Sequence, residues 1–152
     1  MQTLLRLADE YGVTVVAAPL PEDLLGCFLP RERRIYLDIR LTPIERRSVL
    51  AHELGHVHLG HPRAEHPSAQ DVEREERQAD RFAAELLIDV AEYARLESIS
   101  DDPEYLADEL GVTPDLLEVY RTACLVRLDA GAVVVRPGRG EVAWRHRESS
   151  PI

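Results

Sequence analysis

Two periods organise the apolar positions of this chain, about 3.6 and 2 residues, and each predicts its element. From Thr3 to Tyr11, Leu4, Leu5, Leu7 and Ala8 recur at helical spacing, and Gly12 ends the run. Val13–Ala18 is short and rich in β-branched residues, is closed by Pro19 and Pro21, and reads as a strand. Gly26–Leu29 and Arg34–Asp38 flank Pro30-Arg31-Glu32-Arg33 as the two arms of a hairpin would. In the second arm Ile35, Leu37 and Ile39 alternate with Tyr36, Asp38 and Arg40, the mark of a half-buried strand.

The helical period then takes over. Leu41–Leu59 carries an apolar stripe of Val49, Leu50, Leu54 and Val57. Thr42 stands at its expected N-cap with Pro43 in the first turn, and Gly60 and Pro62 stop it. Asp71–Asp89 places Val72, Ala79, Phe82, Ala83, Leu86 and Leu87 on one face, and Ala91–Glu97 extends that helix or starts another. After the polar break Ser98–Pro103, Glu104–Leu110 and Pro114–Leu125 form a helical pair around Gly111-Val112-Thr113. Ala132–Arg136 and Glu141–Arg145, joined by Pro137-Gly138-Arg139-Gly140, are expected to pair as a terminal hairpin with Trp144 as a packing anchor, and Arg147–Ile152 as a short polar tail. The resulting expectation is an α+β fold in which helices pack on a short mixed sheet. Its parts are a core at 1–97, a helical extension at 98–128 and a hairpin with tail at 129–152, forming one globular unit.

Chemistry concentrates on the two long helices. His52-Glu53-Leu54-Gly55-His56 has the form H-E-x-x-H, and four helical residues turn about 400°, so His52 and His56 share a face. That spacing lets two imidazoles close on one Zn²⁺, with Glu53 beside the metal as a general base rather than on it. A catalytic zinc normally has a third protein ligand. The metzincin pattern would supply it with glycine at 59 and histidine at 62, but the chain has Leu59 and Pro62, with Gly60 and His61 out of register. His58, His61 and His66 therefore read as exposed residues of a turn. The next helix offers Glu76-Arg77-Gln78-Ala79-Asp80, in which Glu76 and Asp80 lie one turn apart. Glu76 can complete a His₂Glu site, and Asp80 can accept the outer N–H of a ligand histidine. Glu73 and Glu75 read as solvated helix residues.

RIYLDIRLTPIERRSVLAHELGHVHL from Arg34, followed by EERQADRFAAELL at Glu75–Leu87, resembles the ImmA/IrrE family of small zinc metallopeptidases. That family pairs a HELGH helix with a downstream E-x-x-A-(N/D)-x-F-A-x-x-L-L helix in a thermolysin-like gluzincin core. The resemblance implies that His52, His56 and Glu76 are ligands, Glu53 the general base, and Asp80 the partner of His52. It also implies that the strand preceding the metal helix forms the cleft edge along which an extended peptide adds. The oxyanion-stabilising side chain is not assigned, with Tyr36, Tyr93, Tyr105, Tyr120 and His146 all open. The substrate the family implies is a specific protein, commonly a helix-turn-helix repressor of a mobile element, prophage or stress response. The family often continues LL-x-P, whereas Leu86-Leu87 is followed here by Ile88-Asp89-Val90, leaving the onward course of the chain open.

Composition narrows the alternatives. An apolar fraction of 45% and a charged fraction of 30% over 152 residues are values of one folded domain. Cys27 and Cys124 are too few for a disulfide framework. No apolar run reaches the length of a membrane span, and MQTLLRLADEYG mixes Arg6, Asp9 and Glu10 into its hydrophobics, unlike a signal peptide, so the expected location is cytoplasmic. The helical pair at 104–125 has a helix-turn-helix outline, but Asp115 and Glu118 on its second helix and a net charge of −10 have the wrong sign for phosphate. No direct nucleic-acid binding is expected. The sequence thus reads as a zinc-dependent endopeptidase acting on a protein; the alternative is a non-catalytic zinc-binding module that holds a repressor or antitoxin-like partner.

Overall fold

The computed structural model describes residues 1–62, 67–127 and 133–135, the last five of the β-segment residues (126, 127 and 133–135) by backbone alone. Helix α1 (Gln2–Glu10) leads into β1 (Thr14–Ala18), and a hairpin follows, β2 (Gly26–Leu29) and β3 (Arg34–Asp38). Next come the long helices α2 (Pro43–Leu59) and α3 (Ala69–Leu87), then the shorter α4 (Val90–Glu97), α5 (Pro103–Leu110) and α6 (Pro114–Val119). A π-helical turn, Tyr120–Cys124, joins α6 to β4 (Leu125–Arg127), which pairs with β5 (Val133–Val135). The fold is α+β, as the periodicities predict.

The sheet corrects one expectation. Its order is β1-β3-β2, with β3 parallel to β1 and antiparallel to β2. Both sides of β3 are hydrogen-bonded, so the strand that runs into α2 is central and has no edge to offer. The outer strand of this sheet on the α2 side is β2. It is pressed hard against that helix: a Cβ on Gly26 would stand 2.5 Å from Val49 Cγ1 and 3.2 Å from the Tyr36 carbonyl. A second correction concerns the end of the last expected helix. Val133–Val135 pairs with Leu125–Arg127, a strand that begins at Leu125, the last residue of the expected helix at 114–125. The helix yields there because Leu125 leaves the π turn in an extended conformation, φ −85° and ψ 143°. Glu141–Arg145, Trp144, His146 and the tail at 147–152 lie outside the described residues.

Local chemistry explains where the site-bearing helices begin and end. At α2 the Thr42 hydroxyl accepts from Glu45 N at 3.3 Å while the Glu45 carboxylate accepts from Thr42 N at 2.8 Å, a complete capping box. The helix stops at Gly60, which takes the left-handed conformation (φ 65°) that glycine enters without a Cβ clash. Ser68 caps α3 by accepting from Asp71 N at 3.1 Å. Past Leu87 the chain turns at buried, extended Ile88, and Asp89 caps α4, so a separate helix forms without the proline that the family often carries.

One hydrophobic cluster runs from Leu4 through Ile35, Leu50 and Leu54 to Leu117, Tyr120 and Leu125. The helical pair α5–α6 is tied to α2 by polar contacts as well. Arg47 donates from Nη1 to the carbonyls of Leu110 (2.9 Å) and Gly111 (2.6 Å), and Ser48 Oγ accepts from Thr113 N at 3.2 Å. These contacts satisfy the C-terminal carbonyls of α5 and hold α2 firmly at the centre of the molecule.

Candidate metal centre

The site depends first on how closely α2 and α3 approach. Gly55 faces Ala79, and a Cβ there would stand 3.0 Å from both the Ala79 Cα and its carbonyl oxygen. Gly55 and Ala79 are both buried, so the small residues of the H-E-x-G-H and E-x-x-A-D stretches form the point of contact between the helices. With the backbones this close, Glu76, one turn before Ala79, and Asp80, next to it, reach the histidine face of α2. We expect Gly55→Ala to weaken metal binding. Overpacking costs ~1–3 kcal/mol, against ~1 kcal/mol gained in helix propensity, and the cheapest relief is to push α3, with Glu76, away. A calorimetric metal titration checks this; an unchanged affinity would mean that the contact does not set the site.

His52 Nε2 and His56 Nε2 point at each other, 3.0 Å apart, and Glu76 approaches both, Oε2 at 3.2 Å from His52 and Oε1 at 3.3 Å from His56. Bonds of 2.0–2.1 Å in tetrahedral geometry separate neighbouring ligand atoms by about 3.3 Å. The three donors therefore fit a single metal ion without rearrangement. They form the one group of three or more His, Cys, Asp or Glu side chains placed to hold a metal among the described residues. The histidines are largely buried, 19% and 14% exposed, while Glu76 is half exposed.

Asp80 Oδ1 lies 2.7 Å from His52 Nδ1, the nitrogen turned away from the donor group. Burial opposes protonation of His52, but the Asp80 hydrogen bond and the charges of Glu53, Asp80 and Glu76 outweigh it, and the pKa rises above its ordinary value of 6.5. The same carboxylates that hold a proton there would stabilise a cation in its place. Asp80→Ala is expected to leave the donor group in place and weaken zinc binding about 10–100-fold. Zinc competition against a chromophoric chelator measures this, and unchanged affinity would return Asp80 to the solvated residues of α3.

Glu53 is 7% exposed and lines the same cleft as His52, His56 and Glu76, yet it is not one of the three donors. The cleft, about 400 Å³, lies between β2 and α3 with α2 as its floor, and Cys27, Phe28 and Val72 line its apolar side. Glu75 also lines it, against its reading as a purely solvated residue.

The neighbouring histidines differ from their reading as turn residues. His58 is still inside α2, stacked on Phe82 with ring centroids 4.8 Å apart, and its Nδ1 lies 2.8 Å from the Tyr11 hydroxyl. His61 lines the cleft, its Nδ1 2.9 Å from His56 Nδ1. His66 lies outside the described residues. None of Tyr36, Tyr93, Tyr105 or Tyr120 lines the cleft. Tyr36 bonds Glu32, Tyr93 bonds Glu97, and Tyr120 is fully buried with its pKa raised by that burial. Burial likewise pushes the Cys124 thiol up to about 12, which keeps it protonated.

An α+β core with an H-E-x-x-H helix, a facing glutamate and an adjoining cleft defines a metallopeptidase type of domain. The chain belongs to the Peptidase_M78 family, the IrrE N-terminal-like domain, whose sequence profile matches residues 8–119. Among solved structures it is similar to a Mycobacterium tuberculosis transcriptional regulator, at 19% identity and a TM-score of 0.64 over 86% of this chain. That likeness shows a shared fold, and the chain spans about half (47%) of the regulator's length. No curated protein matches the chain. No helix among the described residues is long and apolar enough to cross a membrane.

Proposed function

We propose that this protein is a zinc-dependent endopeptidase that cleaves a specific protein substrate. The observation that carries this reading is Glu53: a buried carboxylate beside the His52, His56 and Glu76 donors but outside them. A metal held only for structure has no use for such a group, whereas peptide hydrolysis needs a base at that position. Two nitrogens and one carboxylate suit zinc and leave an open coordination position. When bound, zinc supplies Lewis acidity, lowering the pKa of water toward about 7 and polarising a carbonyl.

The chain's own residues then do the following. Glu53 takes the proton from the water whose oxygen attacks the scissile carbonyl carbon. As the C–N bond breaks, Glu53 passes that proton to the departing amine. Asp80 holds the His52 ring in one tautomer through its 2.7 Å contact. An extended substrate would lie in the cleft alongside β2, with its side chains against Phe28 and Val72. The thermolysin-like gluzincin architecture is part of this reading, as are a cytoplasmic setting, the extent of the peptidase core at 1–97 and the absence of direct nucleic-acid binding. The favoured substrate is a helix-turn-helix repressor encoded beside this protein. Incubating that repressor with the zinc-loaded protein should give two discrete fragments by mass spectrometry, and a chelator should prevent them. Stable binding with no fragments would favour a zinc-supported interaction module.

A further inference from the structure

The two donor histidines are held differently on their outer sides. His52 has the carboxylate of Asp80. On His56 the corresponding atom, Nδ1, lies 2.9 Å from His61 Nδ1, and His61 Nε2 lies 3.0 Å from Gln78 Oε1. We infer that His61 is a positioning residue for His56, and Gln78 for His61, forming a hydrogen-bond chain that fixes the ring and tautomer of the second ligand. This inference rests on the metal-centre reading above.

The chain has one consistent arrangement of protons. His56 turns Nε2 toward the donor group, so a metal there leaves the ring proton on Nδ1. That N–H can only donate to a lone pair, so His61 accepts at Nδ1 and carries its own proton on Nε2. The Nε2–H then donates to the acceptor oxygen of the Gln78 amide, which belongs to α3. Each donor meets an acceptor, and the path runs from α2 through the turn to α3.

The backbone explains why His61 can reach back. Gly60 N donates to Val57 O at 3.2 Å and His61 N donates to His56 O at 3.1 Å, with Gly60 left-handed. This is the Schellman arrangement, in which the second residue past the helix folds over the residue three positions inside its end. That inner residue is the ligand His56 itself. The helix stop therefore delivers a side chain to the outer face of the metal ligand. A neutral acceptor also adds no further negative charge to a site that already gathers Glu53, Glu76 and Asp80 around His52.

The test uses the full chain with zinc alone as probe, in competition against a chromophoric chelator. His61→Ala should weaken zinc binding about 10–100-fold, as loss of a ligand's outer partner does. His61→Asn, whose amide oxygen can accept in place of Nδ1, should recover most of that loss. Gln78→Ala should weaken zinc on its own but add little once His61 is Ala. In zinc-loaded wild type, NMR should show a slowly exchanging His56 Nδ1–H proton that disappears in His61→Ala and returns in His61→Asn. Wild-type affinity and a retained Nδ1–H signal in His61→Ala would overturn the inference while leaving the metal centre intact. Zinc loss as complete as in His56→Ala would make His61 a ligand and overturn it as well. A wild type that binds no zinc would remove both this inference and the metal reading beneath it.

Discussion

His52→Ala, His56→Ala and Glu76→Ala are each expected to yield protein without zinc, where the wild type is expected to carry about one zinc per chain, matching the one three-donor group among the described residues. The expected loss is near complete because the three donors are not interchangeable with neighbours. Removing Glu76 leaves two imidazoles on one helix face, and the 3.2 and 3.3 Å approaches that close the group from α3 go with it. Zinc sites in small domains bind with apparent free energies of ~10–16 kcal/mol, so losing one ligand in three shifts occupancy by orders of magnitude. Elemental analysis of the purified variants, with circular dichroism to confirm folding, measures this directly. Full zinc in Glu76→Ala would show that another residue is the third ligand, and His61, which lines the same cleft, would be tested next.

Glu53→Gln is expected to keep its zinc, its fold and its substrate binding while losing cleavage by about 10²–10⁴-fold, the share that general base catalysis supplies. The amide matches the carboxylate in size, so the buried position is filled as before, but it cannot take a proton from the attacking water. The repressor assay compares fragment yield from wild type and variant at equal zinc content. Equal cleavage would remove Glu53 from the mechanism. Binding by both with cleavage by neither would favour the interaction module. Because this variant leaves His52, His56 and Glu76 untouched, its result is independent of the ligand test.

Much of the fold could be read locally. The Thr42 cap, the Gly60 stop and the hairpin around residues 30–33 are short-range events, decided by side chains within a few positions of the backbone groups they serve. The apolar periods set part of the face each helix buries, Leu50 and Leu54 on α2 and Ala79 and Ala83 on α3, while Val72 stays exposed and α2 also buries Ser48 and Glu53. The sheet order could not be read this way. Val13–Ala18 and Arg34–Asp38 both look like strands, but nothing in either says that β1 would pair with β3 and leave β2 at the edge. Pairing is a long-range choice, and the cleft edge moved from β3 to β2 because of it. The end of the last helix was misplaced for a related reason. Leu125 continues an apolar helical pattern, but its pairing with Val135 draws it out of the helix.

The sequence by itself determined which side chains could carry the chemistry. The H-E-x-x-H spacing puts two imidazoles on one helix face, and E-x-x-A-D puts two carboxylates on another, since helix geometry is the same in any surroundings. Only the tertiary structure decided how those faces meet. Contact between Gly55 and Ala79 sets the distance between α2 and α3, and that distance brings Glu76 to both Nε2 atoms and Asp80 to His52 Nδ1. It also gave His61 its place. A histidine two residues past the last helical turn looks like a solvated turn residue until the chain reversal at Gly60 lays it over His56 and α3 presents Gln78 to its far side. Local spacing fixes direction along one helix, while a site built from three segments needs packing to fix the distances between them.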